Sequence, residues 1–290
     1  MSSSSAPSVA VVTDSSASLP PELAASHGVT VVPLQVIVGG VPHHEGVDIG
    51  PDDLAAALRE WQPVSTSRPS PEALLGAYRR CADAGAEQVV SIHLSSEVSG
   101  TYESAQLAAR QSPVPVTCVD SRQVGVGTGF LVLAAADLLA AGGRADEVAQ
   151  LVARRAPQVT SLFYVDTLEH LRRGGRVGAA AAFLGSALAV KPILRVADGR
   201  VGPYEKVRTA GKALSRLGDL AVEAARAAGS VDVGVSHLAS PDRAETLADR
   251  LRTDLADELE GRDVLVGEVG AALGAHVGPG MVAVVVAPRD

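Results

Sequence analysis

Apolar residues come in short runs along the first half of this chain, and the runs end in hydroxyls or carboxylates. Val9 to Val12 is a β-branched run that passes into Thr13-Asp14-Ser15-Ser16, which predicts a strand followed by a polar loop. Gln88 to Leu94 repeats the arrangement and feeds into Ser95-Ser96-Glu97-Val98-Ser99-Gly100-Thr101. Val114 to Val119 repeats it again and ends in Asp120-Ser121. Helical patterns lie between the runs. Pro20-Pro21-Glu22 opens one, since proline is tolerated in a first turn. Others cover Pro51 to Trp61, Glu72 to Ala84, the stretch after Tyr102, and Gly127 to Ala141. Val29 to Val38 reads as one strand, bent or at an edge because of Pro33. Ser65 to Pro71 reads as a loop rich in hydroxyls. Such β-loop-α repetition predicts a mostly parallel sheet with helices on both faces, with ligands gathering beyond the carboxyl ends of its strands.

The pattern changes after an amphipathic stretch, Glu147 to Ala156. Ser161 to Val165 predicts a strand, and Leu168 to Arg173 a helix that stops at Gly174-Gly175. Ala179 to Leu188 predicts a further helix. Val190 to Val196 and Arg200 to Val207 flank Asp198-Gly199, a hairpin signal. A helix over Ala210 to Ala228, strands over Val231 to Ser236, Val264 to Glu268 and Met281 to Ala287, and a helix with Ala244, Leu247, Leu251 and Leu255 on one face complete the chain. Gly274 to Gly280 reads as a glycine-rich turn carrying His276. The expected architecture is α/β in two domains. Residues 1–8 form a disordered tail, 9–158 a mostly parallel domain, and 159–290 a mixed α/β domain.

Composition narrows the function. The 290 residues carry a formal charge of −8 and no basic block, which argues against nucleic acid. Cys81 and Cys118 match no metal-ligand spacing and suit a reducing compartment. Met1 to Ser8 lacks a basic start and an apolar core, so no signal peptide is read there. The apolar stretch Val124 to Ala141 is interrupted by Gly125, Gly127, Gly129 and Asp137, which favours a buried helix over a membrane span. A cytoplasmic protein is expected. Aromatics are only 3% of the chain, so its cores have aliphatic walls. These could line a lipid pocket or simply reflect an alanine-rich composition.

Four constellations carry candidate chemistry. Ser95 to Thr101 sits where a strand ends and a helix begins, so its hydroxyls and free N–H groups suit an anion, although a single Ser or Thr there serves equally as a cap. Thr66 and Ser67 can face Ser99 across the same site, or Ser70 can cap a helix from Pro71 while the others bond locally. Arg176 after Gly174-Gly175 is either a phosphate grip or a solvated cation beyond a C-cap. His276 can donate to an anion or have no role. Lys191 within an apolar strand pairs with a carboxylate or reaches solvent at an edge, and Lys206 and Arg208 follow the hairpin. His43 and His44, beside Glu45 and Asp48, lack a closed ligand set, and no metal is assigned. A Ser/His/Asp hydrolase acting on lipid esters is the enzymatic alternative, but the chain has no Gly-x-Ser-x-Gly elbow.

The order of these blocks is more specific than any one of them. Thr13-Asp14-Ser15-Ser16, Thr66-Ser67-Arg68-Pro69-Ser70, Ile92 to Tyr102, Val119-Asp120-Ser121, Leu171 to Val177, Lys191-Pro192-Ile193, Lys206-Val207-Arg208-Thr209 and His276 to Gly280 follow one another. In that order the chain resembles the DegV family of bacterial fatty-acid-binding proteins, which includes the acyl-binding subunit of fatty acid kinase. The resemblance implies the two-domain DegV fold and a bound long-chain fatty acid of the palmitate class, with no other cofactor and no catalysis by this chain. It implies that Thr66 and Ser99 hold the carboxylate, and that Arg176, Arg208 and His276 act around its opening. Ser96, Gly100, Asp14 and Ser15 are possible additions. It also implies an ATP-dependent kinase partner that phosphorylates the bound acid, and leaves room for transient membrane contact. A lipid store or sensor without a kinase would use the same residues. Arg68, where many members carry Gln, and Glu97-Val98 depart from the family pattern.

Overall fold

The computed structural model describes residues 8–183 and 191–289. The first part of the chain runs β1 (Val9–Asp14), α1 (Pro21–Ser26), β2 (Val29–Val32), β3 (Gln35–Val38), β4 (Val41–His44), α2 (Pro51–Arg59), β5 (Val64–Ser67), α3 (Pro71–Asp83), β6 (Gln88–His93), α4 (Thr101–Ala109), β7 (Val116–Asp120), α5 (Val126–Ala140) and α6 (Ala145–Arg155). The rest runs β8 (Thr160–Tyr164), α7 (Glu169–Arg173), β9 (Lys191–Ala197), β10 (Arg200–Val207), α8 (Ala210–Ala228), β11 (Val231–His237), α9 (Pro241–Asp254), α10 (Ala256–Leu259), β12 (Leu265–Glu268), α11 (Ala271–Val277) and β13 (Val282–Pro288).

The predicted parallel sheet is present, with order β2-β1-β6-β7 and every pair parallel. Adjacent residues of a strand face opposite sides. Accordingly Val11, Val90 and Ile92 pack under α5 and α6, while Val12 and Val89 pack under α3 and α4. The mixed sheet has order β10-β9-β8-β13-β11-β12. Its pairs are antiparallel except β11 with β12. One face carries Leu162, Tyr164, Val233 and Val284 against α8 and α9.

Helix α5 touches strands of both large sheets. That position explains why its first two turns have no polar face, since Val126 to Val132 are all buried. No helix among the described residues is long and apolar enough to cross a membrane.

Three expectations need correction. Val29 to Val38 is two strands in two sheets, divided at Pro33-Leu34. Ser65 to Ser67, expected in a loop, lies in β5, and His43 and His44 end the neighbouring strand β4. With β3 they form an antiparallel sheet of order β4-β3-β5. His276 sits in the last turn of α11 rather than on a turn. Of the helix expected over Ala179 to Leu188, a 3-10 segment Gly178–Phe183 is seen, and the remainder lies outside the described residues. The tail expected over residues 1–8 also lies outside them, apart from Ser8.

Candidate functional site

β5 pairs with β3 so that Thr66 stands opposite Val36, and α11 packs on the same small sheet. Thr66 Oγ1 therefore meets His276 Nε2 at 2.9 Å. Ser99 reaches the region from the β6–α4 turn. The two segments touch where Arg68 Nη1 donates to the Gly100 carbonyl at 3.0 Å. Thr66, Ser99, His276 and Arg176 all line one cavity with about 950 Å³ of atom-free space, its opening included. Its other walls are almost entirely aliphatic, among them Leu34, Leu94, Val196, Leu273 and Val285. Small side chains on the inner face of the mixed sheet open this space. Ser161 stands across from Val285, and Ala283 lies between Phe163 and Ser236.

Burial, reinforced by the positive charge of Arg176, depresses the His276 pKa to about 4. The ring is thus neutral near pH 7 and carries one N–H. Its Nδ1 is buried without a hydrogen-bond partner. An orphaned acceptor nitrogen is a lesser penalty than an orphaned N–H, which assigns the proton to Nε2. Nε2–H then donates to Thr66 Oγ1 and leaves the threonine hydroxyl hydrogen free for a ligand. Ser99 is prepared in a similar way. Its Oγ accepts from the Thr101 N–H at 3.3 Å and lies 2.9 Å from Thr101 Oγ1, so with Thr101 as donor its own hydrogen faces outward. Both hydroxyls thus line an otherwise largely apolar cavity.

Arg176 is fixed by backbone acceptors, with Nε donating to the Val98 carbonyl at 3.1 Å and Nη1 to the Gly174 carbonyl at 2.7 Å. The turn before it uses Gly175 at φ +70°, the left-handed C-terminal stop expected of glycine. Gly174 has a second purpose that its sequence context did not reveal. A Cβ there would overlap His276 Nδ1, so the missing side chain lets α7 close over the imidazole.

The other candidates have structural partners. Asp14 is fully buried and accepts from the Ser16 N–H at 3.1 Å and the Leu94 N–H at 3.2 Å. Ser15 bonds to Glu45, and Ser96 Oγ donates to Asp120 Oδ2 at 2.6 Å. Gly100 contributes its carbonyl to Arg68 and begins α4. None of these four lines the cavity, and neither does Arg208, which is exposed just beyond β10. Ser70 caps α3 by accepting from the Ala73 N–H at 3.2 Å. Lys191 donates to the Asp166 carbonyl at 3.1 Å and lies 3.6 Å from its carboxylate. Both cysteines are free. Among the described residues no group of three or more His, Cys, Asp or Glu side chains is arranged to hold a metal.

A Ser/His/Asp chain does exist, though away from the cavity. Ser91 Oγ lies 2.7 Å from His93 Nε2, and His93 Nδ1 lies 2.8 Å from Asp14 Oδ2. All three are fully buried, with the Tyr78 hydroxyl on Ser91 at 2.9 Å. This chain ties β1 to β6. Among the described residues no imidazole hydrogen-bonds to Ser99, whose hydroxyl bonds to Thr101 while His276 bonds to Thr66.

The model of the DegV family, described as uncharacterised proteins, matches residues 8–289. A DegV domain-containing protein of Streptomyces coelicolor is 52% identical over 283 residues, covering 97% of this chain and 99% of that one. One from Deinococcus radiodurans is 39% identical and covers 97% and 99%. Among solved structures, a DegV family protein of Thermus thermophilus described for its fatty acid binding is 34% identical. It has a TM-score of 0.90 and covers 97% of this chain and 99% of its own. DegV of Bacillus subtilis, described as a fatty acid binding protein, is 30% identical. Its TM-score is 0.89, with 98% and 100% covered.

Proposed function

The chain belongs to the DegV family, and from that premise we propose that it binds a long-chain fatty acid and presents it, in the cytoplasm, to a separate ATP-dependent kinase. Thr66 and Ser99 donate to the carboxylate, and the acyl tail fills the aliphatic cavity. The observation that carries this reading is that the Thr66 and Ser99 hydroxyls, each bonded to one neighbour, line a cavity whose other walls are almost entirely aliphatic. A buried carboxylate is expensive unless it is hydrogen-bonded. Hydroxyl donors meet that need without a countercharge, and the tail adds about 0.8 kcal/mol for each buried methylene.

Neutral donors also suit group transfer. A carboxylate oxygen attacks the γ-phosphorus of the nucleotide, the bond to the bridging oxygen breaks, and ADP leaves, giving an acyl phosphate. Arg176, fixed at the rim, offers charge to the incoming phosphoryl group. His276 supports the carboxylate site itself through Thr66, so its loss weakens binding as well as transfer. Arg208, outside the cavity, faces the partner. Chain length and saturation follow from the cavity's shape.

The test is calorimetric titration of delipidated protein with a long-chain fatty acid. Thr66→Ala and Ser99→Ala should each weaken binding by about tenfold. Arg176→Ala should retain affinity but lose acyl-phosphate formation with a kinase subunit. Unchanged affinity in both hydroxyl variants would mean that the carboxylate is held elsewhere.

A further inference from the structure

We propose that Glu45 is a positioning residue of the carboxylate site, acting through the helix that carries His276. This rests on the fatty-acid reading above. Helix α11 starts with Ala271 and Ala272, both buried, and the first N–H groups of a buried helix need acceptors. Gly270 stands at its N-cap with no side chain to provide one. The acceptor comes from far away in sequence: Glu45 Oε1 takes the Ala272 N–H at 2.7 Å. The other oxygen of Glu45 accepts from the Ser15 hydroxyl. Ser15 Oγ accepts in turn from the Leu34 N–H at 2.9 Å, and Leu34 lines the cavity.

The fit around this carboxylate is close. Glu45 is only 6% exposed, and a Cβ at Gly270 would overlap its Oε1. On its far side α11 is wedged in place, since a Cβ at Gly274 would lie 2.6 Å from Leu54 Cδ2. Burial raises the Glu45 pKa despite the bonds from Ser15 and Ala272, with Asp14 adding repulsion. A buried acid is thus kept where an amide or apolar group would be easier to bury.

What it holds in place is the head of the site. Ala272, Leu273, His276 and Val277 of α11 all line the cavity, and His276 comes one helical turn after the N–H that Glu45 binds. A small rotation or slide of α11 therefore moves Nε2 against Thr66 and turns the threonine hydrogen away from the carboxylate.

Two variants perturb the contact from opposite sides. Glu45→Gln removes the charge at nearly constant shape, and Gly270→Ala pushes the carboxylate off Ala272 with the charge intact. Each delipidated protein is titrated with a long-chain fatty acid and with the fatty alcohol of the same length. Wild type should prefer the acid, and both variants should lose about tenfold of that preference while holding the alcohol as before. Parallel weakening toward acid and alcohol would reduce Glu45 to a general structural role and overturn the inference. So would an unchanged acid preference in both variants. A wild type with no acid preference would overturn the carboxylate reading itself, and that failure is visible before any variant is compared.

Discussion

At the scale of single residues, function depends on where a few hydrogens point. In the proposed carboxylate site, Thr66 and Ser99 serve as donors when His276 and Thr101 occupy their acceptor sides. Gly174 makes the first arrangement possible, since it leaves room for His276 Nδ1. Gly174→Ala should therefore cost acid affinity, read by calorimetry. Gly175→Ala should instead cost about 1–2 kcal/mol of stability, because its left-handed backbone strains an L side chain. His276 also sets a pH dependence. Its native value is about 4 against 6.5 for the free group, so between these values the unfolded chain binds more protons. Stability from the neutral ring is complete above 6.5 and is lost as pH falls towards 4. In denaturant melts of the delipidated protein, His276→Gln should lose less stability than wild type between about pH 7.5 and pH 5.

Elements were legible where the signal was local. The β-branched runs of β1 and β6 and the proline-led helices α2 and α3 follow from their own residues. β5 did not, because Ser65-Thr66-Ser67 prefers local hydrogen bonds and becomes a strand only by pairing with β3. α11 did not, because Gly274 and Gly278 read as a turn and its N-terminal acceptor, Glu45, is 227 residues away. Thr66 and His276, both candidates from the sequence, were assigned to loops, whereas they lie in β5 and α11 and bond to each other. The β9–β10 hairpin was legible, yet its use was not. Its tip docks on the serine turn, with Ser95 Oγ donating to the Gly199 carbonyl at 2.8 Å and Arg200 paired with Glu97 at 2.5 Å. A Cβ on Gly199, at φ +80°, would overlap Ser95 Oγ. Gly199→Ala and Ser95→Ala should each destabilise the protein by about 1–2 kcal/mol. A double-mutant cycle in urea should show a coupling of at least about 0.5 kcal/mol if the two act through this contact, whereas simple addition would deny it.

At the scale of the molecule, the cavity draws its walls from both parts of the chain. Leu34, Thr66, Leu94 and Ser99 come from before residue 158, and Phe163, Val196, His276 and Val285 from after it. A ligand in that position should tie the parallel and mixed sheets together and stabilise the whole by about 2.7 kcal/mol at a hundredfold excess over Kd. Whether this cavity holds a fatty acid by its carboxylate is read by mass spectrometry of the purified protein, native first and then after solvent extraction. Wild type should carry a noncovalent companion of roughly a few hundred daltons that extracts as a free fatty acid and is lost from the Thr66→Ala/Ser99→Ala double variant. A ligand retained equally by the double variant, a mass that stays attached after denaturation, or a protein that is empty and takes up no added fatty acid would contradict that binding.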